Sequence, residues 1–366
     1  MRPESGLLRK RLGVKRLANV VALSLITAVW TSSGRSEPAT HNAELFPGPG
    51  ASALTLRLEL PLRDVLRGRS KARDDEEPVT HGAKLEVGDQ QLELTVSRRG
   101  KSRQTHCSFP PLWLDFKKKT TAHSPFAGQN KLKLVTHCKN AYEKRGFLAA
   151  EMLAYELLNL FTERSFRTRA VQMVYVDSSS DEERTHWGFL IEHKKQLAAR
   201  LEGSASKLNT VARSDLIADY SALVAVHQYL IGNTDFSFTH GPPDDNCCHN
   251  VVPITLSEKE PPNVLPVPYD FDASGLVNPP YAAPVASLSI SKVTQRLYRG
   301  YCDHNDQALT FVAEIVQQKQ RVMQHIQAFD TLPNLPVQRI TRFVDKFYKV
   351  AESADRTQSR LVAKCR

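Results

Sequence analysis

The chain has 366 residues, of which 41% are hydrophobic and 24% charged. This composition excludes a disordered chain, a collagen and a polytopic membrane protein, and the length fits one large domain or two lobes. The net charge of +10 raises the question of a nucleic-acid partner. Residues 1–16 alone hold six Lys or Arg and one acid, and no nucleic-acid recognition motif follows. We therefore predict no nucleic-acid partner.

The amino-terminal segment has the layout of an export signal. An uncharged apolar run from Leu17 to Trp30 follows the basic residues and precedes small polar ones. The run is shorter than the ~20 residues that a membrane-spanning helix needs. We predict residues 1–34 to be a signal peptide or an uncleaved amino-terminal anchor, and the polar residues 35–52 to be a linker. The protein is then exported, periplasmic or secreted, and touches a membrane only through such an anchor.

The period of the apolar residues changes along the rest of the chain. Alternating residues predict strands over 54–60, 92–96 and 131–135, and we also predict strands over 113–116, 170–176 and 187–191. A three-to-four period predicts a helix at 148–158 and another from Leu216 to Leu230, which Ser214 can cap. Short strands follow at 250–256 and 264–267, and two helical patterns begin after Asp306. This order predicts an α+β fold with a strand-rich part at 53–195 containing one helix and a helical part at 196–366.

Six cysteines are compatible with up to three disulfides in an oxidising compartment. Cys107 and Cys138 are one candidate pair. Cys302 is a candidate partner for the adjacent Cys247 and Cys248. A zinc site is disfavoured because the usual Cys-x₂-Cys spacing is absent.

Polar residues of the types that phosphoryl transfer requires occur in order along the chain. They are Lys131 or Lys133, Glu151, Asp235, Asn250 and Asp270. A lysine neutralises phosphates, a helix glutamate holds that lysine, an aspartate orients the acceptor hydroxyl, and an asparagine and a second aspartate hold Mg²⁺. This is the chain order of the kinase signature residues. Each residue also has an ordinary structural explanation, such as a turn aspartate or a solvated lysine, so the prediction depends on the ordered set.

Three motifs carry a resemblance to known kinases. Tyr229–Asp235 (YLIGNTD), the pair His249–Asn250 and the segment 267–272 (VPYDFD) resemble the CotH family of secreted atypical kinases and the HipA-type kinases. The segment 99–103 (RGKSR) is similar to the glycine turn of CotH proteins. The resemblance covers roughly residues 90–300.

The resemblance implies a two-lobed protein-kinase-like fold, with a strand-rich N-lobe and a helical C-lobe. It also implies transfer of a phosphoryl group from ATP, with Mg²⁺ or Mn²⁺, to a hydroxyl of a protein or small molecule. Asp235 is then the catalytic aspartate, and Glu151, with Glu156 as its rival, pairs with Lys133 or Lys131. The remaining implied ligands are Gly100, Ser102 and Arg103 for the phosphates, and Asn250, Asp270 and Asp272 for the metal.

One departure from the kinase pattern leaves other functions open. In ordinary kinases the asparagine follows the aspartate by five residues, but here His240 stands at that position and Asn250 is fifteen residues on. The intervening segment must fold back for Asn250 to reach a metal. The alternatives are a kinase-like pseudoenzyme that serves as an extracytoplasmic binding or envelope-assembly module, and a metal-dependent phosphohydrolase.

Overall fold

The structure is a computed structural model that describes residues 45–67, 79–100, 102–117, 121–205, 208–242, 246–257 and 262–366. The predicted signal or anchor at 1–34 and the first ten residues of the predicted linker lie outside these ranges.

Seven strands in the first half of the chain close into a barrel. They are β1 (Leu54–Leu60), β2 (Thr80–Val87), β3 (Gln90–Arg98), β4 (Leu112–Phe116), β5 (Lys131–Thr136), β6 (Thr168–Asp177) and β7 (Glu183–Ile191). Their order around the barrel is β1-β2-β3-β4-β5-β7-β6. The parallel pairing of β1 with β6, from Leu54 opposite Val171 to Leu60 opposite Asp177, closes the barrel. The other neighbouring strands are antiparallel.

The predicted two-lobed kinase-like fold is therefore wrong. It required an open sheet in a separate N-lobe, whereas β1 and β6 seal the sheet into a mixed barrel. The pairing joins segments more than a hundred residues apart. Alternation within either strand shows which face is buried but not which strand is its neighbour.

Strand β2 was not predicted from the sequence, because only its last part alternates clearly. Its burial changes from exposed at Thr80 to buried at Leu85 and Val87. In β1, by contrast, Leu56, Leu58 and Leu60 all face inward and are at most 1% exposed. Apolar side chains from all seven strands fill the barrel, so its interior is a packed core.

Helices accompany the barrel and make up most of the second half. The short helices α1 (Leu62–Arg67), α2 (Arg103–His106) and α3 (Asn140–Lys144) follow strands, and α4 (Phe147–Asn159) lies between β5 and β6. After the barrel come α5 (Lys194–Arg200), α6 (Ala218–Ile231), α7 (Asn305–Gln317), α8 (Lys319–Ala328), α9 (Val337–Ala351) and α10 (Ala354–Arg360). Nearly every residue of α4 and α6 is buried, and both belong to a second hydrophobic core.

A separate two-stranded antiparallel ribbon lies between α6 and α7 in the chain. It consists of β8 (Val251–Ser257) and β9 (Asn263–Pro268). The backbone N–H of Ile217, just before α6, donates to the carbonyl of Val264 at 3.0 Å. The ribbon is thereby joined to the start of α6.

The six cysteines form three disulfides. The predicted Cys107–Cys138 bond is confirmed. The predicted link from Cys302 to Cys247 or Cys248 is wrong, because Cys302 bonds to Cys365 while Cys247 and Cys248 bond to each other. The disulfides indicate oxidising surroundings.

Within the described ranges, the helices are all too short or too polar to span a lipid bilayer.

Candidate active site

A cavity of about 670 Å³ lies where the barrel meets the loops around α6 and the ribbon. Most of the residues predicted from the sequence line it. They are Gly100, Ser102, Arg103, Lys133, Glu151, Asp235, Asn250, Asp270 and Asp272. Lys131 does not line the cavity.

The ribbon brings Asn250 and Asp270 together. Asn250 directly precedes β8. Asp270 is the second residue after β9, with Tyr269 between them. Since the strands are antiparallel with Val251 opposite Pro268, both residues emerge at the same end. The N–H of Tyr269 donates to the carbonyl of Asn250 at 3.0 Å, which extends the ladder to the edge of the cavity.

Asp235 reaches the same place from the end of α6. The helix is followed by Gly232, whose φ of 64° lies in the left-handed region that favours glycine and ends the helix. The side chain of Asn233 then accepts a hydrogen bond from the N–H of Asp235 at 3.0 Å, a turn that directs the chain into the cavity.

The long segment after Asp235 folds back on itself. The N–H of Ser237 donates to the carbonyl of His249 at 3.0 Å, and the N–H of His249 donates to the carbonyl of His240 at 3.2 Å. The amide nitrogen of Asn250 donates to the backbone carbonyl of Asp235 at 2.8 Å and to its Oδ2 at 3.0 Å. The fifteen-residue spacing therefore does not separate the two side chains.

Asp235 is held by a second neighbour that sequence reasoning did not assign. His249 Nε2 lies 2.7 Å from Asp235 Oδ1. This hydrogen bond raises the pKa of His249, against the opposing effect of burial. Both carboxylate oxygens of Asp235 thus have a donor. The sequence signal for this contact was the position of His249 directly beside Asn250.

The structure distinguishes the two candidate lysines. Lys133 Nζ lies over the ring of Tyr269, 4.0 Å from its centre, on the wall of the cavity. Burial, followed by the positive charges of Arg99 and Lys194, lowers the pKa of Lys133 to about 7. Lys131, one repeat earlier on β5, instead pairs with Asp115 at 3.4 Å.

Glu151 is paired with Arg103 rather than with either lysine. Arg103 Nη2 donates to Glu151 Oε2, and Arg103 Nε donates to Asp272 Oδ2 at 2.8 Å. The planar guanidinium can bond two carboxylates at once, which a lysine ammonium cannot do in a fixed fork. Burial raises the pKa of Glu151 to about 7, with Arg103 acting in the opposite direction. The rival Glu156 is paired with His325 at 2.8 Å.

A disulfide holds Arg103 in this position. Arg103 begins α2, a four-residue helix too short to be stable alone. The next residue after the helix, Cys107, is bonded to Cys138, which lies two residues beyond the end of β5. The disulfide therefore fixes Arg103 and Lys133 to the same part of the barrel.

Asp270 is the carboxylate of the cavity that makes no ion pair among the described residues. Its backbone N–H donates to Tyr155 Oη at 2.8 Å. Burial and the neighbouring Asp272 raise the pKa of Asp270, while Arg103 and Arg99 oppose that shift. The carboxylate faces a mixed electrostatic field.

The described residues contain no cluster of three His, Cys, Asp or Glu side chains that could hold a metal ion. Asp270 and the amide oxygen of Asn250 nevertheless offer two oxygen ligands. Mg²⁺ commonly binds to one or two such groups and completes its shell with water and phosphate oxygens. Asp272 is already bonded to Arg103 and to Tyr281 Oη, the latter at 3.0 Å. The residues thus fit a cation that arrives with a polyphosphate.

The charges of the cavity support the same conclusion. Four carboxylates line it, those of Glu151, Asp235, Asp270 and Asp272. Three basic side chains line it as well, those of Arg99, Arg103 and Lys133. A free polyphosphate would meet no net positive charge there unless it brought a cation. Arg99 lies against the aromatic wall, with its guanidinium carbon 5.3 Å from the ring centre of Trp113.

No protein-family model and no curated protein matches this chain. The resemblance to the CotH and HipA-type kinases therefore stays a prediction.

Proposed function

We propose that the cavity binds a nucleoside triphosphate, ATP, with Mg²⁺ or Mn²⁺, and transfers its terminal phosphoryl group to a hydroxyl of a protein or small molecule. The observation that carries this proposal is the convergence of Lys133, Asp235, Asn250 and Asp270 on one cavity. These residues are far apart in the sequence. A volume of about 670 Å³ lies within the range of small-molecule sites.

The side chains divide the work of transfer among them. Lys133 and Arg99 neutralise phosphate oxygens, and Asp270 with Asn250 would hold the divalent cation, which would supply further charge neutralisation. Asp235 orients the acceptor hydroxyl. As the acceptor oxygen bonds to the terminal phosphorus, the bond to the bridging oxygen breaks, the nucleoside diphosphate leaves and the hydroxyl proton passes to Asp235.

The cellular location of the protein is also proposed from the structure. The three disulfides favour an oxidising location. We propose that the protein is exported, periplasmic or secreted, with the apolar segment 17–30 as its signal or anchor. Fractionation of expressing cells, combined with trapping of free thiols, tests this proposal. A fully reduced cytoplasmic protein would contradict it.

Nucleotide binding is the first test. Ligand at a hundred times its dissociation constant should stabilise the folded protein by about 2.7 kcal/mol, which a thermal-unfolding assay detects. Lys133→Met should remove this stabilisation. Lys131→Met is the matched control, because Lys131 lies on the same strand but outside the cavity. Equal effects of the two substitutions would contradict the assignment.

Transfer is the second test. With γ-labelled ATP and Mg²⁺, wild type should label itself or an added hydroxyl acceptor, and Asp235→Ala should lose that label while still binding nucleotide. Asp235 lies in a loop, so its removal should have little effect on core packing. Undiminished transfer by Asp235→Ala would reject its assigned role.

A non-catalytic nucleotide-binding module is the second candidate. The observation that favours it is that both carboxylate oxygens of Asp235 are already engaged, by His249 and by Asn250. Such a protein could act in envelope assembly through its nucleotide-bound form. Stabilisation by Mg-ATP without any transferred label would support this second function over the first.

A further inference from the structure

The guanidinium of Arg103 sits between two acidic side chains at the inner wall of the cavity. Its Nε donates to Asp272 at 2.8 Å, and its Nη2 donates to Glu151. Arg103 is 8% exposed and Glu151 3%, so little water competes for these bonds. The guanidinium is thus bonded to two carboxylates, which are the kind of ligand that a divalent cation in the same position would require.

We propose that Arg103 serves as a built-in second cation of the cavity, so that the protein binds one divalent cation per nucleotide rather than two. This inference rests on the proposed nucleotide function. It also changes a prediction from the sequence, because it removes Asp272 from the metal ligands and assigns it to Arg103.

The availability of the carboxylates supports the proposal. Asp235 is bonded to His249 and Asn250, and Glu151 and Asp272 are bonded to Arg103. Asp270 remains as the one cavity carboxylate without an ion-pair partner among the described residues. A second divalent cation that used Asp272 or Glu151 would have to displace the guanidinium of Arg103 from both acids.

The positive charge of Arg103 is also present and fixed in place without any ligand. An arginine stays protonated at any physiological pH, unlike a lysine in the same place. The disulfide between Cys107 and Cys138 ties the end of its short helix to the barrel. The charge between Glu151 and Asp272 is therefore present before any ligand arrives.

Removal of the guanidinium should convert this place into a metal site. In Arg103→Met the carboxylates of Glu151 and Asp272 lose their cation, with Asp270 close enough to interact electrostatically with both. The carboxylates of Glu151 and Asp272 then offer buried oxygen ligands of the kind that Mn²⁺ and Mg²⁺ prefer, in the place that the guanidinium has left. The variant should then gain a cation that wild type does not bind.

The experiment counts Mn²⁺ on the full chain by electron paramagnetic resonance. We expect one Mn²⁺ per chain in wild type with a non-hydrolysable ATP analogue, and two in Arg103→Met. With Mn²⁺ alone, Arg103→Met should bind at least tenfold more tightly than wild type. Arg98→Met is the matched control and should behave as wild type, because Arg98 donates to backbone carbonyls, those of Leu66 and Gln104, and to no carboxylate of the part of the chain that the structure describes.

The outcomes separate the two proposals. Two Mn²⁺ in wild type, or no gain in Arg103→Met, would overturn the role given to Arg103 and leave nucleotide binding intact. If wild type binds neither Mn²⁺ nor the analogue, the nucleotide function is rejected. Binding of Mn²⁺ by Arg103→Met without nucleotide would even then show that the guanidinium occupies a cation site.

If Arg103→Met does not fold, Arg103→Lys replaces it. The lysine keeps the charge but cannot bond both acids, so we expect a weaker gain in Mn²⁺ affinity; none at all would count against the proposal.

Discussion

Replacement of Lys133 by methionine should make the ligand-free protein more stable. The folded-state pKa of Lys133 is about 7, against an ordinary value of 10.5. At about 1.4 kcal/mol per pKa unit the full difference corresponds to about 5 kcal/mol. Because the side chain is only half-buried, solvent screening reduces this to about 2 kcal/mol. Loss of the contact with the Tyr269 ring costs about 1 kcal/mol, so the expected net gain is about 1 kcal/mol.

The gain should depend on pH in a defined direction. Below pH 7 Lys133 is charged in both the folded and the unfolded chain, so the folded state bears the whole cost of the buried charge. Between pH 7 and 10.5 the folded protein has released this proton while the unfolded chain still binds it, and the stability of wild type rises with pH. The advantage of Lys133→Met should therefore be largest near pH 6 and close to zero near pH 10.

Urea unfolding of wild type, Lys133→Met and Lys131→Met at pH 6 and pH 10 measures this difference. Lys131 pairs with Asp115 near the surface, so its substitution should change the unfolding free energy by less than about 1 kcal/mol at either pH. An equal gain at both pH values, or a loss at pH 6, would refute the argument that burial lowers the pKa of Lys133.

Three further substitutions test the surroundings of the cavity. Asp235→Asn should lower the pKa of His249 toward its ordinary value, seen by NMR titration of the imidazole; an unchanged value would contradict the contact. Since the pKa of His249 is higher in the folded than in the unfolded protein, its charged form stabilises the fold at low pH, and this stabilisation is lost as the pH rises through the folded-state pKa. Asp235→Asn should therefore lose more stability at pH 6 than at pH 9. Arg103→Ala should cost about 3–5 kcal/mol in urea unfolding because two buried acids lose their partner, and a cost under about 1 kcal/mol would show that the bridge contributes little. Joint replacement of Cys107 and Cys138 by serine should cost about 3–4 kcal/mol for the 31-residue separation, and an unchanged unfolding midpoint would contradict a stabilising role.

Local sequence patterns predicted most of the secondary structure. Alternation indicated β1, in which one face is buried. Apolar segments indicated β6, which is buried at nearly every position, and the buried second half of β7. The helical period indicated α4 and α6, although both are buried on nearly all sides. Strand β2 escaped detection because its residues are buried only near its end, at Leu85 and Val87. The helical pattern after Asp306 proved to be four helices rather than two.

The candidate site was predicted as a set of residues but not as a set of contacts. The chain order of Lys133, Asp235 and Asp270 singled out side chains that do line one cavity. The partner of Glu151 was assigned to a lysine, whereas the structure pairs it with Arg103. That choice depends on where a short helix and a disulfide place one guanidinium, which spacing along the chain does not encode.

By itself the sequence determined where most strands and helices lie, most of the polar residues that line the cavity, and that Cys107 and Cys138 form a plausible bridge. The tertiary structure alone decided that β1 lies beside β6, that Cys302 bonds to Cys365 and that Asn250 meets Asp235 across a fifteen-residue loop. The physical reason is the range of the interactions. Burial patterns and turns depend on neighbouring residues, whereas barrel closure and the geometry of the cavity depend on pairings between distant segments whose free energies are settled only when the whole chain packs.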